Sequence, residues 1–465
     1  MVFSSFSFLC FFLPVLLTVY FLVPSRKGKN LVLLAGSLFF YAWGEPKFLL
    51  LLMLSTFSAS LCGLGMAHFS ARRSTRKIIF AASVSILLAN LFIFKYLNFA
   101  VDNLAILFPG ISVRQIVLPI GISFYTFQTL SYLIDLYRNE IKVQRNYCAL
   151  LLYVSLFPQL IAGPIVRYKT VEDEIDNRRE SLSDVVSGSK RFILGLAKKV
   201  ILANNLSRVA EIIYASSSNY NATALYWLAA LAYALQIYYD FSGYSDMAIG
   251  LGRIFGFHFL ENFTHPYASH SVTEFWRRWH ISLGSWFRDY VYIPLGGNRV
   301  SLGRHIFNLA VVWALTGFWH GASWNFVLWG LFQFVFLVLE KFFIARFLER
   351  LPRFVSWLYA FTAEVFGFVI FYFTDMSALI HAIKTLLCFH PSDFSLLLSE
   401  NIGLLRYLPF LIPGIIFMFP IIKTDKTASG TAALIIENGI YLLLFALCIM
   451  FLLSSAYNPF IYFRF

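Results

Sequence analysis

Charge is scarce in this 465-residue chain. Asp, Glu, Lys and Arg make up only 13% of it, against 59% hydrophobic residues and a mean hydropathy of +0.70. That balance excludes an ordinary soluble domain. Acids are the scarcer sign, 24 against 37 basic residues, for a net charge of +13. The basic residues fall in short loops between apolar runs. The excess therefore reads as membrane orientation and contact with anionic lipid, and not as a nucleic-acid surface. Cysteine is sparse too: Cys10, Cys62, Cys148, Cys388 and Cys448 are scattered and form no CxxC, so neither a disulfide framework nor a zinc site is indicated. GxGxxG, GxxxxGK[ST] and GxSxG are all absent, which removes support for Rossmann, P-loop and hydrolase-elbow chemistry. The apolar stretches are continuous and do not alternate, which argues against a β-barrel.

What is present is a series of apolar runs, several close to the roughly 20 residues that span a bilayer as a helix. They fall at 6–23, 30–43, 48–68, 78–97, 115–134, 222–239, 305–321, 324–343, 356–374, 403–422 and 432–455. The pattern predicts an all-α polytopic membrane protein with roughly 11 to 13 membrane segments. It reads as one integral-membrane domain over 1–465, with cytoplasmic or interfacial segments near 167–206 and 270–303. No basic residue precedes the first run and no small-x-small site follows it, so it is not read as a cleavable signal. Arg26, Lys27 and Lys29 follow it, and Arg72, Arg73, Arg76 and Lys77 mark a second basic loop. The positive-inside rule places both loops in the cytoplasm and the N-terminus outside. Residues 98–114 are expected to be irregular, 147–162 to be re-entrant because Gly163-Pro164 ends the run, and 375–400 to be a polar separator. Lys190 to Leu206 reads as a basic amphipathic segment in the interface, and 458–465 as an aromatic interfacial tail.

The most informative stretch is 273–333. If residues 274–289 are helical, Trp276, Trp279, Leu283 and Trp286 share one face, beside a stripe of Arg277, His280, Gly284 and Arg288. Tryptophan beside arginine suits a membrane interface, and Arg277 and Arg278 are suited to hold a phosphate or carboxylate. Alone, His280 is better explained by anchoring a helix than by chemistry. His320 differs, lying in an apolar segment among Gly317, Gly321, Ala322 and Ser323. In that setting the neutral imidazole is favoured and can act as general base; the alternative is a structural histidine bonded to a neighbouring helix. Asp240 and Asp246 adjoin apolar sequence beside Gly243, Gly250 and Gly252. They read either as the wall of a polar cavity or as a tight buried bend with capping aspartates. A helix would align His258, Glu261 and His265, but Pro266 follows and the spacing is not HExxH, so no metal is assigned.

Taken in order, the run 240–250, the run 275–283 with Arg288-Asp289-Tyr290, the turn Leu295-Gly296-Gly297-Asn298-Arg299 and Trp319-His320-Gly321 resemble the membrane-bound O-acyltransferase (MBOAT) family. The runs 118–125 and 162–164 resemble its bacterial alginate O-acetyltransferase membrane-subunit branch. The resemblance implies a ring of tilted or re-entrant helices around a central tunnel. It implies that His320 and His280 are catalytic, with Trp276, Arg277, Arg278, Trp279 and Asp246 toward the donor and tunnel. It implies no permanent cofactor, and a cytoplasmic acyl thioester such as acetyl-CoA as donor. The acyl group would cross a bacterial inner membrane to a polysaccharide: alginate, another exopolysaccharide or peptidoglycan. Implied partners are a periplasmic SGNH-type acetyltransferase, polysaccharide-assembly proteins and membrane lipid, with no nucleic acid. The competing classes are a transporter, with His320 and the aspartates as a relay, and a scaffold.

Overall fold

The computed structural model describes residues 1–216, 223–389, 402–421 and 431–454; the aromatic tail expected at 458–465 lies outside them. Two compact units emerge, one from Met1–Phe192 with Met247–Leu260, the other from Ile193–Asp246 with the described part of 261–465.

In the first unit run α1 (Leu13–Leu22), α2 (Arg26–Gly44), α3 (Leu49–His68) and α4 (Arg73–Leu91). A π-helical turn, Phe92–Tyr96, carries α4 directly into α5 (Leu97–Leu107). Residues 98–107 are thus helical, contrary to the sequence expectation: no breaker occurs before Pro109-Gly110, and the chain turns irregular only there. Next come α6 (Ile122–Tyr137), entered through Gly121 at φ 78°, and α7 (Tyr147–Ser155). The run before Gly163-Pro164 is interrupted earlier than that pair, at Leu156 ahead of Pro158, where α7 gives way to the four-residue helix Phe157–Leu160. Arg76 Nη2 caps the end of α6 by donating to Leu136 O at 2.9 Å, Tyr137 O at 3.0 Å and Asn139 Oδ1 at 2.7 Å. A cation there complements the helix dipole. After α8 (Tyr168–Asn177), Glu180 accepts from Arg26, from Lys29 at 3.2 Å and from the Tyr20 hydroxyl. Burial raises the Glu180 carboxyl, but the hydrogen bonds from Arg26, Tyr20 and Lys29 outweigh it and bring it down to about 2. His258 Nδ1 bonds Glu174 at 2.8 Å and residues 257–263 belong to no helix, so the helical alignment of His258, Glu261 and His265 does not occur.

Helices α9 (Leu182–Ala197) and α11 (Thr223–Ile254) contribute to both units, with α10 (Asn204–Ser216) between them. The stretch 240–250 is not a bend; it is the interior of the 32-residue α11. Its aspartates are satisfied from the π-helical turn Lys198–Ala203: Lys199 pairs with Asp240 at 2.7 Å and Lys198 with Asp246 at 2.6 Å. Lys199 is buried. Gly243 makes this approach possible, since a Cβ there would lie 2.7 Å from Gly195 O.

The second unit continues with α12 (Val272–Arg278), α13 (Ile281–Phe287), α14 (Leu302–His320), α15 (Trp324–Leu339), α16 (Arg353–Tyr372), α17 (Met376–Leu387), α18 (Leu411–Phe417) and α19 (Thr431–Ser454). Helix α17 occupies part of the expected polar separator; its Leu379, Ala382 and Leu386 are buried. Helices α14 and α15 form a tight antiparallel pair, where a Cβ at Gly317 would meet Phe326 O at 2.5 Å and one at Gly330 would meet Trp313 O at 2.6 Å. Among the described residues five helical stretches are long and apolar enough to cross a membrane: Pro46–His68, Arg73–Leu107, Trp324–Leu348, Arg353–Tyr372 and Thr431–Ser454. Large apolar side chains such as Ile435, Leu442 and Leu453 stand exposed on α19, a surface that a bilayer satisfies and water does not.

Candidate active site

The expected helix over 274–289 is two helices with a break at His280. Trp279 is extended (φ −100°, ψ 129°) and His280 is left-handed (φ 45°, ψ 52°) before α13 begins. A non-glycine residue there is strained by about 1 kcal/mol or more, so the surroundings must impose it. Asn262 does so. Its carbonyl O accepts from Ile281 N at 3.0 Å, while its side-chain Oδ1 accepts from Ser282 N at 3.1 Å and Ser282 Oγ at 2.8 Å. Arg278 O accepts from Thr264 N at 3.0 Å, completing the clamp.

The start of α12 is held as firmly. Ser271 Oγ accepts from Glu274 N at 3.0 Å, and Glu274 accepts from His270 N at 2.8 Å, a variant of the capping box. Glu340, buried just beyond α15, accepts from Val272 N at 2.6 Å, Thr273 N at 2.7 Å and Thr273 Oγ1 at 2.6 Å. One helical face earlier, Gln333 Oε1 accepts from Trp276 Nε1 at 3.0 Å, and Gln333 Nε2 donates to buried Glu364 at 3.0 Å. Sequence reasoning passed over Asn262, Gln333, Glu340 and Glu364. The two glutamates carried a usable signal, an acid inside an apolar run.

This framework sets His280 on a cavity of about 350 Å³ shared with Thr273, Trp276, Arg277, Arg288, Trp313 and Thr316. Arg277 and Arg288 are exposed at that cavity, Arg288 pairing with Asp289 at 2.7 Å. Arg278 does not line it and pairs with Glu274 at 2.6 Å. Nor does Asp246, which Lys198 neutralises. Trp279 packs among Phe263, Phe275 and Phe368, at centroid distances of 5.1, 5.3 and 5.1 Å.

His320 is the last residue of α14 and only 7% exposed. Its ring stands edge-on to Trp319, Trp329 and Phe371 at 5.0, 4.9 and 5.1 Å. With Trp279, Phe241 and Phe368 it borders a void of about 10 Å³, room for one water at most. His280, 2% exposed, meets the same Trp319 at 5.7 Å and Phe241 at 4.6 Å, so one indole touches both imidazoles. His280 lies in the connection between α12 and α13, outside the membrane-crossing helices. Burial first, then His320, hold its imidazole well below its ordinary value. The arrangement offers two dry imidazoles, one beside a roomy, cation-lined cavity and the other beside a space too small for bulk water.

The model of the membrane-bound O-acyltransferase family, MBOAT, matches residues 38–381. The chain is 38% identical to the probable alginate O-acetylase AlgI of Azotobacter vinelandii over the full length of both. It is 43% identical to the protein of that name from Pseudomonas aeruginosa, over 80% of this chain and 72% of the relative. It is 32% identical to the peptidoglycan O-acetyltransferase of Helicobacter pylori, over 83% of this chain and 79% of the relative. The family model reaches from α2 through α17 and takes in both histidines, and the chain accordingly belongs to the membrane-bound O-acyltransferase family and is an acyltransferase.

Proposed function

We propose that this acyltransferase takes an acetyl group from a cytoplasmic thioester, acetyl-CoA or another acyl thioester. It passes the group across a bacterial inner membrane for O-acetylation of an extracytoplasmic polysaccharide. Alginate is the first acceptor to test, because the full-length relative bears that name. The Helicobacter pylori relative supports peptidoglycan as the second. A periplasmic SGNH-type acetyltransferase that receives the group, together with polysaccharide-assembly proteins, completes the expected set of partners.

One observation carries the reading: two buried histidines touch a single tryptophan, and one of them opens on a cavity lined by two arginines. The arginines and Trp276 suit the phosphates and adenine of a bulky anionic donor. In the proposed step His320 takes the proton of the acceptor hydroxyl as its oxygen attacks the thioester carbonyl. The C–O bond forms, the C–S bond breaks, and the leaving thiolate takes that proton from the His320 imidazolium, which returns the ring to its neutral form. His280 supplies the second imidazole of the site. The thioester is already activated, so this route requires neither a metal nor a covalent nucleophile.

The test is acceptor acetylation by purified, folded His320→Gln protein. That side chain keeps hydrogen-bonding capacity but takes no proton at neutral pH. The expected loss is about 10²–10⁴-fold, the usual range for removing a general base. Wild-type activity would make His320 structural and move the search for the base to His280.

A further inference from the structure

Asn262 lies eighteen residues before His280 and is completely buried. Its amide orientation is fixed by chemistry. The atom facing Ser282 N at 3.1 Å must be the oxygen, because a backbone N–H can only donate. The amide nitrogen then faces Ser245 Oγ at 3.0 Å, which can accept. The same Oδ1 lies 3.2 Å from His280 Nδ1. An oxygen of this kind cannot donate, so Nδ1 must carry the proton of the neutral ring, and Nε2 is left with the lone pair. Nε2 is buried and has no hydrogen-bond partner among the described residues. An unpaired buried acceptor is costly, by about 1–3 kcal/mol, and persists where something else is meant to meet it.

We propose that Asn262 is the positioning residue of His280: it locks the Nδ1–H tautomer and the ring orientation, so that Nε2 is presented as the acceptor for a hydroxyl or thiol proton of the reacting groups. The inference rests on the reading that His280 takes part in acyl transfer. The role resembles that of the group that orients a catalytic histidine elsewhere, but a neutral amide performs it here. When Nε2 accepts a proton, Nδ1–H stays bonded to Oδ1, so the ring need not move. The aromatic walls, Phe241 at 4.6 Å and Trp319 at 5.7 Å, add no polar partner for Nδ1; Ser282 Oγ lies 3.5 Å from it but gives its proton to Asn262 Oδ1 at 2.8 Å.

Two measurements test this. The first is ¹⁵N NMR of histidine-labelled protein in lipid, with the His280 signals assigned by their loss in His280→Gln. The expected result is a protonated, pyrrole-type Nδ1 and a pyridine-type Nε2; the reverse pattern overturns the proposal whatever the activity. The second compares Asn262→Asp with Asn262→Leu. The carboxylate keeps the acceptor and adds a charge that favours His280 imidazolium. Asn262→Asp should keep acyl transfer within about tenfold of wild type, with the donor KM unchanged and the acid limb of the kcat profile moved up by about one pH unit or more. Asn262→Leu should lose about 10²-fold in kcat. If Asn262→Leu fails to fold, Asn262→Asp decides alone. An Asn262→Asp protein as impaired as the leucine variant, or one with an unmoved pH profile, overturns the positioning role. Wild-type activity in His280→Ala would instead remove the underlying reading while leaving the tautomer result intact.

Discussion

Replacing Glu340 with alanine is the most direct way to ask whether the site depends on how α12 is held. The Glu340 side chain accepts two backbone N–H groups and one hydroxyl at the first turn of that helix, all within 2.7 Å. Glu340 is 3% exposed, so water cannot readily replace it. Three lost bonds to a charged acceptor, with buried donors left behind and a favourable helix-dipole contact removed, come to about 3–5 kcal/mol. Glu340→Gln retains one acceptor oxygen but turns an amide donor toward another donor, so it should lose about 1–2 kcal/mol. Helix α12 is only seven residues long, carries Trp276 and Arg277 to the cavity and ends two residues before His280. A displacement of about 1 Å at His280 is enough to cost roughly 10²-fold in rate. Thermal unfolding in detergent and acyl transfer at saturating donor should therefore fall in the order wild type, Glu340→Gln, Glu340→Ala. Wild-type melting and turnover in Glu340→Ala would refute the reasoning, because the buried donors would then have found other partners.

Arg277→Ala should raise the donor KM severalfold with little change in melting, whereas Arg278→Ala should leave the KM unchanged, because Arg278 is engaged by Glu274 and does not line the cavity; donor titrations of the two variants decide between them. Glu180, whose carboxyl lies at about 2 in the folded chain against an ordinary 4.5, binds fewer protons folded than unfolded. Its contribution, about 1–2 kcal/mol after screening at this partly exposed cluster, should be complete above pH 4.5 and fade as pH falls toward 2. The melting difference between wild type and Glu180→Gln should accordingly narrow from pH 5 to pH 3. Gly330→Ala places a methyl group 2.6 Å from Trp313 O, so the α14–α15 pair must part; reduced yield of folded protein is expected, and unchanged expression and melting would show that the pair slides freely.

The membrane class was legible from the length of the apolar runs, because hydropathy acts residue by residue and needs no tertiary partner. The continuity of α11 was not. Asp240 and Asp246 look like breakers until Lys199 and Lys198, some forty residues upstream, are brought beside them. The break at His280 was hidden for the same reason. Nothing in Trp-Arg-Arg-Trp-His interrupts a helix, and the left-handed residue is imposed by Asn262 through bonds that local propensity cannot register. Among the site residues, His320 stood out as an imidazole in an apolar run. Glu340 and Glu364 stood out by the same rule and were overlooked because no motif surrounded them. Arg277 and Arg278 were indistinguishable by type, and only the direction of each side chain separates the cavity-facing arginine from the one paired with Glu274.

The void of about 10 Å³ beside His320 bears on what the enzyme must not do. Water and a sugar or serine hydroxyl are similar nucleophiles toward a thioester, and in open solvent water wins by number alone. A base exposed to solvent would therefore turn this protein into a thioesterase that drains the donor pool without acetylating anything. On the role proposed for His320, its packing against Trp319, Trp329 and Phe371 leaves no room for bulk water, and an acceptor hydroxyl reaches the ring only when these side chains part. Under that proposal hydrolysis is limited by entry and not by reactivity, and the ratio of acylated product to donor consumed becomes a property of three aromatic rings.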